Sequence, residues 1–146
     1  MRILLQRVLE ARVEVDGEVI GEIDQGMLLL AGFCHRDDAL DLTRAVSKVV
    51  NLRIYPDHND RLHHNITDIN GEILLVPQFT LYANTGRGRR PDFVDAMRPD
   101  LATQKFDELV AKFRSQTDLK IATGKFGADM KVGLVNDGPF TLNLEF

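Results

Sequence analysis

The sequence predicts an α/β fold: one mixed, curved β-sheet with two helices packed on one face, in the order β-β-β-α-β-α-β. Three observations carry this. Residues 2–34 hold two alternating segments about an Asp16-Gly17 turn signal, followed by a continuous apolar run, the marks of strands. Two later segments space their apolar residues at three and four, as helices do. The chain closes with "LVNDGPFTLNLEF" at 134–146, which returns to a period of two.

In chain order, residues 2–15 read as a strand that returns through Glu18 to Ile23. Met27 to Cys34 is apolar enough to be buried on both faces. His35-Arg36-Asp37-Asp38 is expected to open a helix, with the aspartates in its first turn. Leu42, Val46, Val49 and Val50 then form its apolar stripe. Residues 55–70 are polar and turn-rich, and Asn70-Gly71 starts a strand expected to run from Glu72 to Tyr82. Its first half, Ile73 to Val76, is apolar on both faces. After Pro77 it is expected to alternate, with Phe79 and Leu81 on one face and Gln78, Thr80 and Tyr82 on the other. A long loop leads to a second helix, roughly Pro99 to Ser115, striped by Ala102, Phe106, Leu109, Val110 and Phe113. Two or three short strands finish the chain. The last alternates Phe140, Leu142, Leu144 and Phe146 with Thr141, Asn143 and Glu145. Gly138-Pro139 interrupts this pattern, although glycine has no side chain to pack and proline no N–H for a ladder.

A length of 146 residues sets the expectation of one domain, 1–146, with one real core. The hydrophobic fraction of 44% and charged fraction of 27% are ordinary for a soluble protein. The longest apolar run, Met27 to Cys34, is broken by Gly32 and too short to cross a membrane. "MRILLQRVLEARVEV" carries charges throughout and no small-residue cleavage site, so no signal peptide is expected. The lone Cys34 fits a reducing cytoplasm. A net charge of −4 argues against a protein that grips nucleic acid with its whole surface. It leaves room for a local basic patch. "NTGRGRRP" puts Arg87, Arg89 and Arg90 together, with Arg98 beyond; this is either a phosphate contact or a solvated arginine-rich loop.

Familiar catalytic chemistry finds little support. Cys34 has no motif around it, and Ser47 and Ser115 lie on helical patterns without a strained elbow. His58, His63 and His64 match no metal spacing, so no metal and no cofactor are expected. No phosphate-loop or dinucleotide glycine pattern occurs. Thr80 is a conceivable nucleophile without an identifiable base. The strand that turns polar after Pro77 is either the rim of an active site or an edge strand facing water.

The two irregular segments carry a resemblance. "PQFTLYA" at 77–83 and "NDGPFT" at 136–141 together resemble the D-aminoacyl-tRNA deacylases, and "LLQRVLEARVEV", "GEVIGEI", "RGRRPDF" and "TGKFGADMKVGLVNDGP" agree in order along the chain. The resemblance implies a barrel-like sheet, a homodimer, and hydrolysis of the ester joining a D-amino acid or glycine to tRNA. It implies that Gly138 and Pro139 form a Gly-cis-Pro gate inserted into the neighbouring subunit. Gln78, Phe79 and Thr80 would line the catalytic pocket, Arg7 would support the gate, and Phe126 and Met130 would lie near the terminal adenosine. Pro77 stands where the family has serine, removing a hydroxyl and a backbone donor. With no general base in the sequence, backbone N–H groups near Phe79 and Thr80 and the vicinal 2′-hydroxyl of the tRNA are expected to do the chemistry. The alternatives are a non-catalytic nucleic-acid-binding dimer, a related deacylase of relaxed chirality, and a threonine-dependent esterase.

Overall fold

A computed structural model describes residues 1–86 and 88–146; Arg87 lies outside the described residues. Its spine is β1 (Arg2–Val15), paired along both edges. One edge takes β2 (Glu18–Ile23) along Ala11–Val15 and β3 (Gly26–Gly32) along Arg2–Val8, both antiparallel. The connection to β2 is the Asp16-Gly17 turn, with both residues at positive φ (53° and 85°), the backbone that matches strand twist in a two-residue hairpin.

α1 (Leu42–Val50) follows, then β4 (Tyr55–Pro56) and β5 (Leu62–His64), a small antiparallel pair separate from the main sheet. β6 (Glu72–Pro77) adds in parallel to β3, and α2 (Pro99–Gln116) leads to β7 (Ile121–Thr123), parallel to β6. β8 (Lys131–Glu145) fills the remaining edge of β1. The sheet curls until β2 meets β7: a Cβ on Gly21 would lie 2.7 Å from the Thr123 carbonyl oxygen. Only glycine lets the two edges come so close, and the result is a nearly closed barrel.

Both helices cover the same face. Leu42, Ala45, Val46, Val49 and Val50 of α1 join Ala102, Phe106, Leu109, Val110 and Phe113 of α2 in one buried cluster with Ile3, Leu5, Met27, Leu29, Ile73 and Leu75. The alternate positions Val8, Leu28, Leu74 and Val76 form a smaller cluster on the other face. β3 and β6 are therefore buried on both sides, as their unbroken apolar runs require.

Four expectations need correction. α1 opens after Asp41, whose carboxylate accepts from the Arg44 N–H at 3.2 Å, and not at His35–Asp38. Asp37 is diverted: it accepts from Cys34 N–H at 2.7 Å and pairs with the Met1 ammonium at 2.8 Å. The strand expected through Tyr82 ends at Pro77, because β3 ends at Gly32 and offers β6 no further partner. Phe79–Tyr82 forms a 3-10 turn, so the faces assigned to residues 78–82 do not exist. The turn-rich 55–70 segment contains β4 and β5, and the chain ends in β7 and one 15-residue strand rather than in several short ones.

Tyr55 is only 2% exposed and its hydroxyl finds no hydrogen-bond partner among the described residues. Burial drives its pKa well above the ordinary 10.0, with Arg7 partly opposing; burial and then the Asp37 charge push Tyr82 the same way. Both stay neutral in the fold while unfolded tyrosine ionises near 10, so their contribution is complete below pH 10 and lost as pH rises beyond it. Thermal denaturation from about pH 8 to 11 is expected to show that fall. Tyr55→Phe is expected to soften it and to leave the neutral-pH Tm unchanged or higher, because an unpartnered buried hydroxyl costs about 1–3 kcal/mol. A lower Tm at neutral pH would contradict this.

Candidate active site

The parallel strand β6 delivers Pro77 and Gln78 to the open end of the barrel. Gln78 N–H still bonds the Ala31 carbonyl at 2.7 Å, after which the chain coils. The first internal bond of the 3-10 turn runs from Leu81 N–H to the Gln78 carbonyl at 3.3 Å. The N–H groups of Phe79 and Thr80 precede that bond and stand outside the turn's own ladder. Within the turn the Gln78 amide donates to the Thr80 hydroxyl. Arg2 holds the far end, donating to the Leu81 carbonyl at 2.9 Å and lying 4.7 Å over the Tyr82 ring.

Beside the turn is a cleft of about 690 Å³ whose walls include Pro77, Gln78, Phe79, Phe93, Phe126 and Met130. Phe79, though 51% exposed, packs edge-to-face on Phe93 with ring centroids 5.0 Å apart. Arg98 and Asp129 also reach the cleft. Both are engaged at the surface, with Asp100 at 3.0 Å and Lys131 at 2.9 Å. The walls are thus aromatic and aliphatic with backbone donors close by. No histidine, cysteine or lysine lines the cleft among the described residues.

Gly138 and Pro139 sit elsewhere. In the β1–β8 ladder Thr141 faces Gln6 and Asn136 faces Val8. Arg7 alone therefore opposes the four residues Asp137 to Phe140, which leave the sheet as a bulge. The interruption in the alternating pattern is this bulge, and the strand resumes beyond it. Its Gly138–Pro139 peptide bond is cis, and both residues are exposed. Gly138 has φ +146°, and a Cβ there would lie 2.8 Å from Phe140 N, so a side chain would strain the tip.

Beneath the bulge Arg7 is only 8% exposed. Its Nε donates to the Asp137 carbonyl at 3.0 Å and meets the Asp137 carboxylate at 3.1 Å. Its Nη1 donates to the Ile54 carbonyl at 2.5 Å, and the guanidinium lies 4.9 Å over the Phe140 ring. Asn136 closes the bulge from within, accepting from Phe140 N–H at 2.6 Å.

The structure thus brings Pro77, Gln78, Phe79, Phe126 and Met130 to one cleft, with Thr80 exposed at its margin. It brings Arg7, Gly138 and Pro139 together at a second place, and within one chain the second group does not line the cleft. Arg89 and Arg90 are exposed on a loop whose stem is closed by the Asn84–Asp92 backbone pair; the call on Arg87 lies outside the described residues. His63 and His64 pack on each other edge-to-face at 5.1 Å, away from both groups. Sequence reasoning passed over Arg2, Phe93 and Asn136. The last two lie inside "RGRRPDF" and "NDGPFT", so only the motifs flagged them.

Fold and site define an α/β barrel with an aromatic and aliphatic cleft at the end of a parallel strand. A profile described as D-Tyr-tRNA(Tyr) deacylase matches residues 4–145. A D-aminoacyl-tRNA deacylase of Bacillus cereus (strain AH187) is 46% identical over 145 residues, 99% of each chain. Among solved structures, one described as c-Myc DNA Unwinding Element Binding Protein superposes with a TM-score of 0.93 at 36% identity, covering 100% of this chain and 99% of its own. A probable eukaryotic D-amino acid tRNA deacylase shares the fold, with a TM-score of 0.84 at 18% identity over 98% and 97% of the two chains. The chain belongs to the D-aminoacyl-tRNA deacylase family and is a hydrolase of that kind.

Removing the guanidinium under the bulge leaves the Asp137 carboxylate and the Ile54 carbonyl without their donor. Arg7→Met is expected to lower stability by about 2–3 kcal/mol in chemical denaturation. An unchanged midpoint would mean that the bulge does not depend on it.

Proposed function

We propose that this enzyme clears the ester of a D-amino acid from tRNA, and glycine mischarged on tRNA(Ala), releasing free amino acid and tRNA while leaving L-aminoacyl-tRNA intact. The observation that carries the reading is the separation within one chain of an open cleft and a rigid, exposed bulge. In a homodimer the Gly138–Pro139 tip of one subunit would complete the cleft of the other. Residues 1–146 then act as one catalytic domain, in the cytoplasm, where its substrate is.

The chemistry follows from what the cleft offers. The ester carbonyl sits by the turn after Pro77, where the N–H groups of Phe79 and Thr80 stabilise the developing oxyanion. Pro77 supplies no N–H, so these two donors carry that task. The tRNA 2′-hydroxyl assists proton transfer, because the titratable side chains that reach the cleft among the described residues, Arg98 and Asp129, are engaged with Asp100 and Lys131. Carbonyls of Gly138 and Pro139 accept the substrate α-amino group and leave no room for a side chain on the L side. Exclusion by a stiff wall can exceed the 1–3 kcal/mol or so that a missing methylene contact gives. Glycine has nothing to exclude and passes. Phe126 and Met130 face the terminal adenosine. Arg87, Arg89 and Arg90 contact tRNA phosphates, so binding should weaken as salt rises. The name of the 36% identical relative favours a second reading, a dimer that also holds DNA without turnover.

One tRNA charged with D- or L-tyrosine tests the proposal. Rapid loss of the D ester with the L ester intact is expected, and Thr80→Ala is expected to keep most of that activity. Cleavage of both esters would end the exclusion argument. Binding without cleavage of either would favour the second reading. Loss of several orders of magnitude in Thr80→Ala would make threonine the nucleophile.

A further inference from the structure

The bulge that leaves β8 has two legs, and each is held by a different side chain. Arg7 holds the Asp137 leg through the backbone carbonyl at 3.0 Å and the carboxylate at 3.1 Å. On the Phe140 leg Arg7 offers only the face contact of its guanidinium with the ring, at 4.9 Å. The backbone of that leg is held by Asn136. The Asn136 amide oxygen accepts from Phe140 N–H at 2.6 Å, while its nitrogen donates to the Phe140 carbonyl at 3.3 Å and to the Thr141 hydroxyl at 3.2 Å. Asn136 and Thr141 are the residues that flank the bulge in the ladder, opposite Val8 and Gln6. One half-buried side chain therefore spans the neck and replaces the ladder bonds that β1 cannot supply, since only Arg7 faces the excursion.

We propose that Asn136 is a positioning residue for stereochemical specificity, a clamp that fixes the height and direction of the Gly138 and Pro139 carbonyls. The inference rests on reading the bulge as the wall that excludes L-amino acids. A wall that works by exclusion discriminates only as well as it resists displacement. Without the Asn136 amide the Phe140 leg loses its backbone anchor, and the tip can pivot on the Asp137 leg. A tip that pivots no longer holds a fixed distance from the substrate α-carbon, and exclusion of an L side chain weakens. Neither Asn136 nor its contacts need touch the substrate, so the effect falls on selectivity more than on the hydrolysis itself.

The test is kcat/KM for D- and L-tyrosyl-tRNA with Asn136→Ala and Asn136→Asp, beside thermal denaturation of each. Asn136→Ala is expected to keep D-ester hydrolysis within about tenfold and to lower the D-to-L ratio by roughly tenfold or more. Asn136→Asp keeps the acceptor for Phe140 N–H and loses the donated bonds, so its ratio is expected to fall between the other two. It is also the variant to read if Asn136→Ala does not fold. Ile23→Ala, a cavity in β2 within the smaller core cluster, which includes none of residues 137–140, should lower Tm and leave the ratio unchanged, which separates positioning from general loss of stability. A ratio unchanged in the folded Asn136 variants overturns the inference alone. A ratio that falls equally in Ile23→Ala overturns it as well. A wild-type enzyme that does not discriminate removes the wall and this inference together.

Discussion

In the middle of β1 a single residue, Arg7, faces four residues of β8. β1 is paired on both edges, so it cannot shift to absorb the mismatch; the extra chain has to leave the sheet. It leaves over a buried guanidinium that binds the bulge on one side and the Ile54 carbonyl, ahead of β4, on the other. A charge this buried is tolerated because donors on it are satisfied by carbonyls and by the Asp137 carboxylate. The barrel, the segment after α1 and the exposed Gly138–Pro139 tip are thereby tied to one side chain.

The cleft has a complementary logic. A parallel strand buried on both faces delivers Gln78 with little freedom, and the end of its partner strand lets the chain coil at once into a turn whose own ladder leaves out the N–H groups of Phe79 and Thr80. Arg2 fixes the turn from behind. Placing backbone donors on a rigid strand end needs no charged side chain to be desolvated, and it suits a substrate that brings its own hydroxyl. What one chain does not provide is a wall opposite these donors. Under the proposed reading, the exposed Gly138–Pro139 bulge of the other subunit supplies it.

Much of this was legible in the sequence, for physical reasons that differ by element. β1, β2, β3 and α2 declare themselves because burial on one or both faces writes its period directly into the residues. The start of α1 did not: Asp37, Asp38 and Asp41 are each competent caps, and the choice is made by the distant Met1 ammonium and Cys34 N–H, which claim Asp37. Residues 78–82 alternate as a strand would, yet a strand needs a neighbour, and Gly32 ends it. β4 and β5 are too short to show a period. For the site, Gly138-Pro139 was visible as an anomaly but not as a bulge, since that depends on the register across 130 positions between Arg7 and Asp137. The neck contacts of Asn136 were invisible for the same reason.

The central claim is that cleft and bulge belong to different subunits, and mixed dimers test it most directly. One chain would carry Phe79→Pro, which removes a backbone donor from the cleft at the first position of the turn, and the other Gly138→Ala in the bulge, with separate tags to isolate the mixed species. Each homodimer should be inactive on D-tyrosyl-tRNA. If the site is shared across the interface, the mixed dimer holds one cleft and one bulge that are both intact and face each other, and activity returns. If the site lies within a chain, no intact pair exists, and a mixed dimer as inactive as its parents contradicts the account.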